Sequence, residues 1–189
     1  MKKSGGDSIV ATRSLFQTGD GGSIPTSPHQ LEAIEISPVL ASDMNKEWHS
    51  RLPDIDWSCV TRNTHYVCYG AYYLGRWYAV AIWSSPVAQN RFKNGREILE
   101  LRRFAISSSA PKNTASWMIG VMRRMISKKF PDIRRLVSYQ DVDTHKGTIY
   151  KASGWARTSE NRFADWNTNT RTRNAAQSTS DKVRWEFLL

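Results

Sequence analysis

Between Ile98 and Trp155 the chain passes twice from strand signal to helix signal, and this order confines it to a mixed α/β architecture. ILELRRFAIS, from Ile98 to Ser107, alternates Ile98, Glu100 and Arg102 on one side against Leu99, Leu101 and Arg103 on the other. Two adjacent arginines in a strand put at least one of them on a rim or in a site. SSAPKNTAS follows as a small-residue loop and runs into a helix from Thr114 to Phe130. Met118, Ile119, Met122, Met125, Ile126 and Phe130 form its apolar stripe, Arg123, Arg124 and Lys128 cover the other side, and Pro131 ends it. RRLVSYQD then predicts a strand, His145 to Ser153 a helix closed by Gly154, and Trp155 opens a further strand.

The flanking sequence completes one sheet. LEAIEISP carries the β-branched pair Ile34 and Ile36 and predicts a first strand ended by Pro38. Ala41 to Arg51 predicts a helix capped by Ser42 or Asp43, with Met44, Trp48 and Leu52 at fourfold spacing. HYVCYGAYYLGRWYAVAIWSSP predicts a β-hairpin from His65 to Ser84, turning at Leu74-Gly75-Arg76. VRWEFLL supplies the last strand. The fold class is therefore α/β, a mixed central sheet flanked by helices. Residues 1–29, rich in Gly, Ser, Thr and Asp, are expected to be a flexible arm, and residues 30–189 a single domain with a long polar loop at about 158–182.

Charge narrows the partners. With 27 Lys+Arg against 17 Asp+Glu in 189 residues, the formal net charge is +10, which favours a polyanion. No apolar run approaches the roughly 20 residues that span a bilayer, and no hydrophobic segment follows the lysines of MKKSGGDSIV, so no membrane association is expected. Cys59 and Cys68, with Trp57, Val60, Val67 and Tyr69 as neighbours, read as buried strand residues, and a reducing cytoplasm is the expected compartment.

The loop before Thr114 carries the clearest chemical signal. Ser108, Ser109, Lys112, Asn113, Thr114 and Ser116 surround a helix N-terminus, where backbone N–H groups and the helix dipole suit an anionic phosphate; an ordinary capped helix has the same composition. Downstream stand Asp143, then Tyr150 seven residues on, then Gly154-Trp155. This pattern resembles the aromatic ending N-x-x-A-x-x-x-Y-x-x-x-G-F of Gcn5-related N-acetyltransferases, with Asp143 for the usual Asn and Trp155 for the usual Phe. The usual pyrophosphate loop Q/R-x-x-G-x-G/A is absent, and SSSAPKNTAS stands in its place. LRR, APKNTAS, LVSY-x-D and H-x-GTIY-x-A-x-GW, with WHSRLP upstream, resemble as a set the Mom proteins of Mu-like bacteriophages, an offshoot of that superfamily. This second resemblance reaches from about Leu31 to Leu189.

The resemblance implies an enzyme that converts the exocyclic amine of adenine in double-stranded DNA to a carbamoylmethyl derivative and so protects phage DNA from restriction. The alternative is a coenzyme-A-dependent N-acetyltransferase acting on a protein or small-molecule amine, and a reading from another class is a non-catalytic nucleic-acid-binding module. Tyr150 falls on the general-acid position of the superfamily, or is a core tyrosine with a satisfied hydroxyl. Asp141 and Asp143 are candidates to accept the amine proton, Asp143 being equally a candidate helix N-cap. Arg102 and Arg103 would hold a phosphate or an acid-bearing donor, and His49 matches a family position near the site, although a His beside a Trp is often structural. Ser108, Ser109, Lys112, Asn113, Thr114 and Ser116 would line a pocket for acetyl-CoA or a related acyl donor. His49 with Asp141 or Asp143 is a candidate iron site.

The adenine amine is out of reach inside a stacked duplex, so base extrusion is expected. Arg157, Arg162, Arg171, Arg173 and Lys182, interleaved with Phe163 and Trp166, suit phosphate contact with stacking or wedging; a polar loop without that role has the same composition. Arg123, Arg124, Lys128 and Lys129 form a second basic group. A homodimer is a further expectation, common among DNA-binding proteins of this size.

Overall fold

The computed structural model describes residues 23–49, 55–86, 90, 92–161 and 181–189. Residues 1–22 of the expected arm lie outside the described residues. Its last residues are described, and Ser27 caps a short 3-10 turn at Pro28–Gln30.

Seven strands form one sheet in the order β1-β2-β3-β4-β5-β7-β6. They are β1 (Glu32–Ile36), β2 (Tyr66–Tyr73), β3 (Arg76–Ser84), β4 (Ile98–Ile106), β5 (Arg135–Asp141), β6 (Ala156–Asn161) and β7 (Lys182–Leu188). The helices are α1 (Pro38–Trp48), α2 (Trp57–Thr61), α3 (Thr114–Lys129) and α4 (Thr148–Ala152). Every neighbouring pair is antiparallel except β4 and β5, which are parallel because the long crossover through α3 returns the chain in the same direction.

The strands alternate between two layers of core. Val67, Tyr69, Trp83, Leu99, Leu101, Leu136 and Trp185 face Met118, Ile119, Met122 and Ile126 of α3 and Tyr150 of α4. Ile36, Cys68, Val80, Ile82 and Ala105 face Leu40, Ala41 and Met44 of α1. Trp83 is fully buried, and its Nε1–H points at the Met122 sulfur, 3.3 Å away.

Several expectations are corrected. α1 begins at Pro38, not Ala41: Ser37 caps it by accepting from Leu40 N–H at 3.2 Å, and Pro at the first helical position is preorganised for a helix rather than a stop. Cys59 is not in a strand; Asp56 accepts from Ser58 N–H and starts the short helix α2, which leaves Cys59 exposed, whereas Cys68 is buried on β2. α4 begins at Thr148 after Gly147, so Asp143 is not its cap. Pairing of β6 with β7 extends from Ala156 to Asn161 and from Lys182, so residues 158–161 and 182 belong to strands rather than to the polar loop.

The alternation read for β4 fails after Leu101. Leu101 pairs with Trp83 and Arg103 with Ile82, so Arg102 is an extra residue, a β-bulge. The bulge reverses the parity of every later side chain. Arg103 and Ala105 turn toward the α1 layer, and Phe104 and Ile106 toward the α3 layer.

Backbone proximity also fixes Gly70. A Cβ there would lie 2.6 Å and 2.8 Å from Trp77 Cζ3 and Cε3. Gly70→Ala is expected to cost about 1–3 kcal/mol through displacement of Trp77, read as a lower thermal midpoint.

Candidate active site

Pairing between the parallel strands runs from Ile98↔Arg135 to Leu101↔Ser138 and goes no further, although β4 continues to Ile106 and β5 to Asp141. The two strands therefore part at their C-terminal ends, where open α/β sheets hold ligands. A cavity of about 720 Å³ occupies the gap. β4 contributes Leu101 to Ile106, β5 contributes Ser138 to Asp141, and the segment Thr144 to Tyr150 closes one side; Trp48 and His49 approach from the end of α1, and Lys182 from β7.

Because the gap cuts through the sheet, the cavity has chemistry from both layers. On the α3 and α4 side, the Tyr150 hydroxyl lies 2.8 Å from Ser138 Oγ. Its ring stacks on Trp185 at 5.5 Å and 17°. Burial raises the Tyr150 pKa, partly opposed by the Ser138 hydrogen bond, so the hydroxyl holds its proton at neutral pH. On the α1 side stand Arg103, Tyr139 and Asp141, by the parity of β4 and β5, with His49 at the C-cap of α1.

His49 is half-buried, and its pKa is lowered below the ordinary 6.5, chiefly by desolvation, then by the positive field of Arg103 and by His145. It is a neutral imidazole at neutral pH, suited to accept a proton. Arg103 donates from Nη1 to the Arg102 carbonyl at 2.8 Å, and its own pKa is lowered by burial and by Arg102. Arg102 donates to Ser84 Oγ at 3.2 Å and lies 3.5 Å from Glu100 Oε1.

A second network holds the segment before α4. Trp185 Nε1–H donates to Gln140 Oε1 at 2.7 Å, and Gln140 Nε2–H donates to the His145 carbonyl. Gly147 has φ of 70°. A Cβ at Gly147 would lie 2.7 Å from Trp185 Cζ2, so only glycine lets the backbone lie against this pair. His145, Lys146 and Gly147 thereby reach the cavity wall.

The structure thus brings Tyr150, Asp141, Arg102, Arg103 and His49 together. Asp143 is exposed and outside the wall; its N–H is accepted by Asp141 Oδ1 at 3.1 Å, in a turn that presents Thr144 and His145 instead. Of the region around the α3 N-terminus only Ala115 reaches the wall, whereas Ser108, Ser109, Lys112, Asn113, Thr114 and Ser116 do not. Thr114 Oγ1–H and Ser116 Oγ–H are turned back onto the Pro111 and Asn113 carbonyls, at 2.7 Å and 3.1 Å. Asn113 itself adopts φ of 69°.

Arg157 lies on β6, half-exposed and ion-paired with Glu160. Arg162, Phe163, Trp166, Arg171 and Arg173 lie outside the described residues. Among the described residues no three His, Cys, Asp or Glu side chains come together in a metal-binding group; of the candidate iron ligands, His49 and Asp141 line the cavity and Asp143 does not. The second basic group is partly engaged in the fold: Arg123 lies 4.4 Å over the Phe187 ring, and Lys129 pairs with Glu35 at 2.8 Å. No described helix is long and apolar enough to cross a membrane.

Sequence comparison decides the family. The Mom protein family matches residues 35–186. The chain belongs to the Mom family. No curated protein matches it by direct sequence comparison. Its fold is shared with the acetyltransferase of the GNAT family from Streptococcus pneumoniae, at 13% identity over 85% of this chain and 99% of that chain, TM-score 0.58. The spermidine/spermine N-acetyltransferase of Vibrio cholerae is similar at 10% identity, 85% and 94% coverage and TM-score 0.56. A Bacillus subtilis acetyltransferase solved in complex with CoA is similar at 14% identity, 85% and 98% coverage and TM-score 0.54. This Mom chain accordingly has the Gcn5-related acetyltransferase fold.

Reading from sequence missed Tyr139, Gln140, His145 and Lys146 as wall residues, and named Lys182 only as a basic residue for phosphate contact. His145 stands within the motif H-x-GTIY and Tyr139 within LVSY-x-D, but which face each occupies depends on where β5 stops pairing.

The depressed His49 pKa has a pH signature. The unfolded chain binds a proton at His49 near 6.5 and the folded chain only at lower pH, so this contribution to stability is complete above about 6.5 and is lost as pH falls through the folded value. An NMR titration should place His49 below 6.5, and Arg103→Gln should move it upward.

Proposed function

We propose that this member of the Mom family is a DNA-modifying transferase that converts the exocyclic amine of adenine in duplex DNA to its carbamoylmethyl derivative, which protects the DNA from restriction. The observation that carries the reading is the cavity at the parted ends of β4 and β5, in a chain of this family. Arg102, Arg103, Lys146 and Lys182 face it against Asp141 alone, four cations to one carboxylate, before either histidine is counted. Such a wall suits an anionic macromolecule, and the net charge of +10 suits it at longer range.

The net change at adenine replaces one N–H of the exocyclic amine by N–CH2–C(=O)NH2. A nitrogen–carbon bond forms at the methylene carbon of the group donor, the bond from that carbon to its leaving group breaks, and the amine loses one proton. Neutral His49 is the acceptor for that proton, with Asp141 on the same layer. Tyr150, which keeps its hydroxyl proton, donates to the departing group and is resupplied through Ser138. Arg103 supplies positive charge to a phosphate or to an acid-bearing donor.

Coenzyme A is the donor carrier this fold favours, since a structural neighbour was solved with CoA. Pantetheine and acyl group would occupy the gap between β4 and β5, and the segment Ser107 to Asn113 before α3 would meet the pyrophosphate. When bound, the group would supply a thioester activated at its acyl carbon, which serves acyl transfer, whereas the N–CH2 bond of the first reading requires a donor that carries its leaving group on the methylene carbon. This also supports the second reading, a CoA-dependent N-acetyltransferase of a protein or small amine.

Mass spectrometry of nucleosides from plasmid DNA, recovered from bacteria expressing the chain, separates the two. A deoxyadenosine heavier by a carbamoylmethyl group in place of hydrogen is expected, and unmodified DNA together with CoA-dependent acylation of amines would support the second reading. Tyr150→Phe is expected to lower modification by about 10²–10⁴-fold with DNA affinity retained.

A further inference from the structure

Aromatic side chains on the cavity wall differ in one respect. Tyr150 is buried and Trp48 and Phe104 are half-buried, whereas Tyr139 is 36% exposed. Its neighbours on the same layer explain why. Val137, two residues earlier, is fully buried, and the last pair with β4 is at Ser138, so Tyr139 is the first side chain of β5 on this layer to border the open gap. Asp141 follows on the same layer, about 7 Å along the strand. Packing therefore ends at Val137, and an aromatic ring stands between the apolar interior and a carboxylate.

Positive charge flanks that ring. Arg184 is the direct partner of Tyr139 on β7, and Lys182 that of Asp141. Arg184 is fixed by Glu186 Oε1 at 2.8 Å and Thr158 Oγ1 at 3.1 Å, and its guanidinium lies 5.4 Å from the centroid of the Phe92 ring, off the cavity wall, so Lys182 is the β7 cation that shares the wall with Tyr139. An exposed ring that shares a cavity wall with cations, here Lys182 and Arg103, is the arrangement by which proteins stack a nucleobase and follow its phosphates.

Resting on the DNA reading above, we propose that Tyr139 is the stacking platform for the target base: an extruded adenine lies on its ring, with the exocyclic amine directed toward Asp141 and His49. Tyr139 is then a positioning residue that sets substrate geometry, distinct from the proton-handling groups. Stacking uses the face of the ring, so the hydroxyl is dispensable.

Two variants test this. Tyr139→Phe keeps the ring, and Tyr139→Leu keeps the apolar bulk without it. DNA modification in cells should stay within about twofold of wild type for Phe and fall about tenfold or more for Leu, at unchanged thermal midpoint. A second readout does not need turnover. Purified full-length protein should quench the fluorescence of a single-stranded oligonucleotide carrying one 2-aminopurine, with quenching retained in the Phe variant and lost in the Leu variant. Wild-type modification by the Leu variant, or equal loss in both variants, overturns the stacking role while leaving the DNA-modifying function intact. Unmodified DNA with the wild-type protein defeats the functional reading, and absent quenching alongside it defeats the platform as well.

Discussion

Everything at the site follows from one place where hydrogen bonding stops. β4 and β5 pair as parallel strands through Leu101 and Ser138, and then separate while both continue. The β-bulge at Arg102 assists, because it bends and twists β4 just where pairing ends and turns Arg103 toward the layer that holds His49. Without the bulge, Arg103 would have faced α3, and the two layers of the site would carry different chemistry.

A gap in a sheet leaves polar groups that must be held by something other than a ladder. The tie from Trp185 through Gln140 to the His145 carbonyl replaces strand pairing on one side, and Gly147 permits the close approach this tie requires. Ser138 and Tyr150 bond to each other at the floor of the gap. These contacts order the cavity before any ligand arrives, so geometry is preset rather than assembled on binding. Burial then separates the acid–base properties of two groups, keeping Tyr150 protonated and His49 deprotonated at neutral pH.

Most of the fold was legible in the sequence, because it rests on periodicity. The hairpin, the apolar stripe of α3 and the strands β4, β5 and β7 follow from residues whose pattern matches their burial. What was not legible depends on registers and breaks. Nothing in LRRFA announces a bulge, so simple alternation puts Arg103 on the layer of Leu99 and Leu101, and the bulge at Arg102 reverses that. Pro38 reads equally as a strand stop and as a helix start, and its role was decided by the Ser37 cap. At the site, Tyr150 and Arg102 to Arg103 could be found from motif and charge, but Ser108 to Ser116 could not be separated from an ordinary helix start. The structure spends their hydroxyls partly on local turns, Ser107 with Ser109 at 2.9 Å among them.

Duplex DNA must meet the face that carries His49, Tyr139 and Lys182 if the gap is where adenine is modified. Hydrogen–deuterium exchange of the full chain, with and without a short duplex, tests this most directly. The account predicts protection concentrated at Tyr139 to Gly147 and Lys182 to Arg184, with Arg134, Arg135 and Lys93 at the opposite end of the sheet unchanged. Protection confined to Arg124 to Lys129 on α3, with none at the cavity, would contradict it.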